Sequence, residues 1–178
     1  MAQVKAQYAE LKEFNTIAKK IIEAQDEIFP SVDIDEFLKK IKAVVITNKD
    51  RKEGSDYFKV HTVKPPMSLF TEVTYVIELF QSDWDTMEDT TKEWIVFCAI
   101  RRIPTDSEDD GKVLGLDYKD DHLIAASVGV DWQLKDDLPK LTDPKSDIDW
   151  GNYGKEKDPV KALSDVVKDN VVENSTDN

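Results

Sequence analysis

The apolar run WIVFCAI, from Trp94 to Ile100, stops at Arg101-Arg102 and contains no charged residue. A segment of this kind has to be buried, so the rest of the chain must fold around it. Trp, Ile, Val and Phe favour strands as well as helices, and a run this apolar shows no period that would decide between them. The expectation is a buried helix over Lys92 to Arg102.

A core able to enclose that run needs a chain of adequate length. With 178 residues and a mass of 20.3 kDa, the chain fits one main domain with an appendage. Hydrophobic residues make up 40% and charged residues 34%, with four Trp and seven Phe, which predicts a folded acidic globule and not a disordered chain. Asp and Glu number 37 against 24 Lys and Arg, a formal net charge of -13. Such a field repels nucleic-acid backbones and anionic membrane surfaces, so direct binding to either is not expected and partners should be basic or neutral. A single Cys cannot close an intrachain disulfide, and MAQVKAQYAELKEF has no leader-like apolar core, so the expected location is cytosolic. No apolar run approaches the roughly 20 residues of a membrane-spanning helix.

Around the central run the other elements are read from period and punctuation. From Gln3 to about Gln25, Tyr8, Leu11, Phe14, Ile17, Ile21 and Ile22 recur at helical spacing with no Gly or Pro between them, predicting one amphipathic helix. Pro30 breaks the chain, and Ser31 or Asp33 caps a short second helix through Ile41. Ala43 to Thr47 is β-branched and precedes the polar turn NKDRKEGSD; Tyr57 to Val63 alternates, so the two segments are expected to pair as a hairpin ended by Pro65-Pro66. Val73 to Phe80 is the strongest strand, completing a three-stranded sheet, and Ser82 or Asp83 caps a helix through Trp84 and Met87. After the polar loop TDSEDDGK, Val113, Leu114 and Leu116 suggest an edge strand or turn, and Asp120 to Val128 a last short helix. Beyond Trp132 the chain is rich in Asp, Lys, Pro and Gly, predicting an extended acidic arm over 133–178 attached to a domain over 1–132. Asp158-Pro159 opens a weakly amphipathic helix in that arm, and ENSTDN should be disordered. The fold class expected is α+β, with a small antiparallel or mixed sheet and helices packed on one side.

In their order, the pieces IFPSV, IKAVVITNK, YVIELFQSDWDTM, KEWIVFCAIRRI and YKDDHLIAASVGVDW resemble the phage-type metallopeptidases, a small zincin-like group. The resemblance covers roughly Ile28 to Trp132 and implies a zincin-like scaffold. It also implies a zinc motif after the W-containing turn and a further ligand from a downstream acidic helix. A zincin holds its metal with two His four apart on one helical face, and a Glu between them takes the proton from bound water. Here Cys98 stands at the first His position, Ala99 at the general-base position and Arg102 at the second His position. No ligand pair and no base remain, and a permanently charged guanidinium opposes a divalent cation. No zinc and no other cofactor is therefore expected, and the chain reads as a non-catalytic, degenerate member of the group.

Other residues with chemical potential each have a plainer reading. Cys98 would be a nucleophile only with His61 or His122 beside it, and within WIVFCAI it reads as a small buried hydrophobe. Arg101-Arg102 reads as a pair of local ion-pairing groups before it reads as a phosphate site. An unrecognised metal-dependent hydrolase would draw on Asp83, Asp85, Glu88 and Asp89, or on Asp117, Asp120, Asp121 and His122, but none of these has a spacing that chemistry specifically requires. Trp84 and Trp94 fall where helices would turn them into the core. Trp150, between Asp149 and Gly151, has no such reason, and with Tyr153 it would anchor a partner unless the arm folds back over its own domain. The carboxylates placed to meet a basic partner are Asp109, Asp110, Asp120, Asp121, Asp147 and Asp149.

These readings converge on an acidic interaction protein that acts by binding. Taken with the resemblance, they imply a phage-encoded protein in the bacterial cytoplasm that occupies the basic or nucleic-acid-binding surface of a host or defence protein. The rival expectation is a virion structural or assembly protein whose arm and last helix make homo-oligomer contacts.

Overall fold

The computed structural model describes residues 5–105, 111–115, 124, 127–128, 132–135, 137–146, 148 and 150. Four strands form one mixed sheet in the order β1-β2-β4-β3: β1 Tyr8–Glu10, β2 Ile41–Ile46, β3 Phe58–Thr62 and β4 Tyr75–Phe80. The helices are α1 Lys12–Ala24, α2 Ile34–Lys39, α3 Gln81–Thr86 and α4 Asp89–Arg101. The fold class is α+β, as expected, with the helices packed against a small mixed sheet.

The first departure from expectation lies at the N-terminus, where the single helix from Gln3 to Gln25 is a strand followed by a shorter helix. Tyr8, Ala9 and Glu10 lie opposite Ile46, Val45 and Val44 in an antiparallel ladder. The Leu11 amide continues it by donating to the Ala43 carbonyl at 2.9 Å. A backbone committed to a neighbouring strand cannot also close helical turns, so the helix begins at Lys12. From there the apolar stripe behaves as its period requires, with Phe14, Ala18, Ile21 and Ile22 buried. Asp33, one of the two expected caps, accepts the Glu36 amide at 3.1 Å and starts α2.

The second departure concerns pairing. β2 and β3 do not form a hairpin, and the sheet has four strands where three were expected. β2 runs parallel to β4, with Ala43 opposite Ile77 and Val45 opposite Leu79. β3 pairs antiparallel with the outer side of β4, with Val60 opposite Ile77. Alternation marks a segment as a strand but carries no label for its partner. The long turn after β2 is held away from it: Arg51 Nε donates to Asp83 Oδ2 at 2.9 Å and Nη1 to the Ser55 carbonyl at 2.7 Å. The Arg51 guanidinium also lies 3.9 Å from the centre of the Tyr57 ring.

Ile41, Ala43, Val45, Tyr75, Ile77 and Leu79 are buried on one face of the sheet, where α1 and α2 meet β2 and α4 meets β3. Helix α4 is the centre of that layer: Trp94 to Phe97, Ala99 and Ile100 are all fully buried, which is why its residues show no period. Phe97 meets Phe29 edge to face at 5.9 Å, and the Trp94 ring lies 5.8 Å from Phe97 and 6.0 Å from Trp132. Trp84 is buried as expected, with Nε1 donating to Glu13 at 3.2 Å.

A third departure concerns the chain after Trp132. The first compact unit runs Met1–Ile148, so the expected boundary at 132/133 lies inside it. Leu138 and Leu141 are buried, and three polar side chains hold this stretch. Trp94 Nε1 donates to the Pro139 carbonyl at 2.9 Å, and Gln25 Nε2 to the Leu141 carbonyl at 2.9 Å. The Glu93 carboxylate accepts the Leu141 amide at 2.8 Å, the Thr142 amide at 3.2 Å and the Thr142 hydroxyl at 2.8 Å. Isolated Leu residues among Pro, Lys and Asp give no periodic signal, yet each fills a site on the helical layer. The second unit, Asp149–Asn178, is described only at Trp150, whose side chain is buried.

Of the remaining expectations, the edge strand or turn after the polar loop is not a strand among residues 111–115, where Gly111 alone lies in a turn and the Leu114 amide donates to the Arg102 carbonyl at 2.8 Å. Ile124, Ser127 and Val128 are helical within the segment expected as a last short helix, and Ile124 is buried. The rest of that segment, the helix expected from Asp158 and the tail ENSTDN lie outside the described residues. Among the described residues no helix is long and apolar enough to cross a membrane.

Candidate interaction surface

The three positions that the resemblance sets against a zinc motif fall in the last turn of α4 or just beyond it, and their environments differ. Ala99 is fully buried and Cys98 partly so. Arg102 is the residue that ends the helix, with its guanidinium 6.0 Å from the centre of the Phe58 ring. Ala99 offers no donor atom and Arg102 is permanently cationic, so this set does not fit zinc. Among the described residues no group of three His, Cys, Asp or Glu side chains is placed to hold a metal ion.

The carboxylates considered for hydrolysis have structural occupations or stand apart. Asp83 is the partner of Arg51, and Asp85 accepts Gln81 Nε2 at 2.6 Å. Glu88 precedes α4 without a capping bond, and Asp89 begins its first turn. His61 is exposed on β3, in register with Val76 and on the sheet face opposite α4, so it does not meet Cys98. Asp117 and His122 lie outside the described residues. So do Tyr153, Asp147, Asp149, Asp109, Asp110, Asp120 and Asp121 among the expected partner contacts. Trp150 is described and largely covered, at 9% exposure, and would have to be uncovered before it could anchor a partner.

Two surfaces emerge that the sequence did not single out. The sheet face away from the helices carries Glu10, Val44, Glu78 and Lys59 in one cross-strand row, with Lys42, Val76 and His61 in the next. Its charges are largely matched internally. Lys42 pairs with Glu10 at 2.9 Å and holds that carboxyl below its ordinary range. The Glu78 carboxylate beside Tyr8 pushes the phenol above its ordinary range, first through its charge and then through a hydrogen bond.

The other surface is the loop joining β3 to β4. Five large apolar side chains are exposed among the described residues: Tyr8, Met67, Leu69, Phe70 and Leu114. Three of them share this loop, Met67 at 63%, Leu69 at 77% and Phe70 at 82%. The loop contains a cis Pro65-Pro66 bond and a single 3-10 turn over Met67–Leu69. Its backbone is well bonded: Val63 N to Thr74 O at 2.8 Å, Leu69 N to Pro66 O at 3.1 Å and Phe70 N to Met67 O at 3.0 Å. The available signal was the segment MSLF after the double proline, with large apolar residues in neither helical nor strand period.

No protein-family model matches the chain, and no curated protein or solved structure matches it either. The zincin-like resemblance therefore stands on the order of the sequence pieces alone.

Proposed function

We propose that this chain is a non-catalytic interaction protein of zincin-like layout with an acidic C-terminal arm. It acts in the bacterial cytoplasm by occupying a basic surface, such as a nucleic-acid-binding site, of a host or defence protein. The observation that carries the reading is the net charge of -13, most of it on residues 106–178, where 19 Asp and Glu stand against 9 Lys and Arg. Ion pairs such as Arg51–Asp83, Lys42–Glu10, Lys19–Asp35 and Lys39–Glu36 remove equal numbers of both signs and leave that excess untouched. An excess of this size steers a basic partner into encounter and repels an acidic one. The environment of Ala99 and Arg102 supports a binding role over zinc-dependent hydrolysis.

The test is capture of a bacterial partner by the purified protein at about 0.05 M and about 0.5 M salt, with Debye lengths of roughly 14 and 4 Å. Elemental analysis of the same sample accompanies it. A specific partner retained only at low salt, with no stoichiometric metal, is the expected result. Affinity indifferent to ionic strength, or bound zinc without a partner, would overturn the reading.

A further inference from the structure

A strand that ends a sheet leaves half of its backbone groups without a partner, and β3 ends the order β1-β2-β4-β3. The Val63 amide donates to the Thr74 carbonyl at 2.8 Å, which sets the parity of the β3–β4 ladder. Lys59 and His61 bond to β4, while Phe58, Val60 and Thr62 turn their N–H and C=O groups outward. Among the described residues no strand, turn or side chain bonds to those outward groups. Edges are commonly guarded by brevity, Pro or a bulge. β3 runs for five residues without Pro and in unbroken register with β4, whereas β1 at the other edge has three.

Backbone groups in this spacing are met by another extended main chain, and the side chains along the edge select its residues. Lys59 and His61 are exposed on the open face of the sheet. On the helical face the Arg102 guanidinium lies 6.0 Å from the centre of the Phe58 ring, with Nε buried and without a hydrogen-bond partner. Among the described residues none of these three forms an ion pair, and Glu78, opposite Lys59, is turned to Tyr8. Phe58, Val60 and Thr62 are half-buried and match apolar, β-branched neighbours. We propose that the β3 edge takes a further strand from a partner protein, an extended segment in which carboxylates alternate with apolar β-branched residues. A paired strand lies about 4.8 Å away, so its cross-strand neighbours decide the match, whereas net charge acts at longer range and is screened within about 8 Å at physiological ionic strength. A second copy of β3 would set Lys59 beside His61 and gain no charge pairing. The contact goes beyond the basic surface sought by the acidic excess and does not depend on it.

The probe is a fluorescein-labelled peptide of alternating Glu and Val, with binding to the full chain followed by anisotropy at about 0.15 M salt. Two further peptides carry N-methyl groups, one on the Val amides and one on the Glu amides, because only one of these sets can face β3. The expected result is binding that one methylated peptide loses and the other keeps. The variant Lys59→Glu/His61→Glu should weaken it about tenfold or more by setting like charges across the ladder, with far-ultraviolet dichroism matching the wild type. Val60→Pro removes an outward N–H at a position where an edge strand tolerates Pro and should weaken binding likewise. Methylated peptides that bind alike overturn the proposal, as does charge reversal without effect or absence of peptide binding by the wild-type chain. Sedimentation showing a dimer that Val60→Pro dissociates would assign the edge to a second copy and overturn it too.

Discussion

Replacing Glu93 by Ala should detach the segment around Leu141 from the helical layer. Glu93 is 8% exposed and its carboxylate accepts from three donors, the amides of Leu141 and Thr142 and the Thr142 hydroxyl. A hydrogen bond to a charged group contributes about 1.5–3 kcal/mol, and a buried donor left without a partner costs about 1–3 kcal/mol. These do not add, because Thr142 can turn to water and the variant no longer desolvates a carboxylate. The net, about 3 kcal/mol, is that of one to two charge-assisted hydrogen bonds and suits a site at the edge of the core. For a chain of this size that is a fall in Tm of roughly 6–12 °C. Urea unfolding gives the total loss, and amide hydrogen exchange at Leu141 and Thr142 locates it. Glu93→Gln keeps one acceptor oxygen and should fall between wild type and Glu93→Ala. A loss below about 1 kcal/mol with unchanged exchange at both amides would refute the view that Glu93 fastens this segment.

Truncation after Ile148 should leave the first unit with its cooperative unfolding transition, whereas truncation after Trp132 removes the buried Leu138 and Leu141 and should abolish it, as read by urea denaturation. The Arg51–Asp83 pair has side-chain exposures of 17% and 24%, and a double-mutant cycle with Arg51→Met and Asp83→Asn should give a coupling of about 1 kcal/mol, towards the upper end for exposed pairs. Coupling indistinguishable from zero would mean the pair does not hold the turn. The Glu10 carboxyl, depressed by Lys42, should titrate nearer its ordinary value in Lys42→Met when followed by side-chain carbon NMR. Because the folded pKa is the lower one, the pair's stabilisation is present above the ordinary carboxylate pKa and is lost as pH falls through the depressed value.

Local pattern made some elements legible and left others hidden. Helix α1 was readable from Lys12 onward because one stripe faces the core, and β4 because its run is β-branched and aromatic. Helix α4 was readable as buried because nothing in its apolar run can face water. Tyr8 was misread as part of the α1 stripe; its true role, opposite Ile46 at a sheet edge, depends on a strand more than thirty residues away. The same limit applies to β2, whose sequence suits a hairpin with β3 as well as the parallel ladder with β4. The acidic excess was visible in the composition. The exposure of Met67, Leu69 and Phe70 was not, because only the fold leaves them outside the core.

The attachment of Leu141 and Thr142 to Glu93 sets an order of events during synthesis. Trp94 finds its acceptor at a separation of 45 residues, and Glu93 its donors at separations of 48 and 49. At roughly 5–20 residues per second, the ribosome needs about 2–10 s to supply them after α4 is made. During that interval the most apolar of the described helices has no cover over Glu93 and Trp94. Apolar surface exposed in this way draws chaperones and favours aggregation, and the 138–142 segment supplies the cover once it emerges.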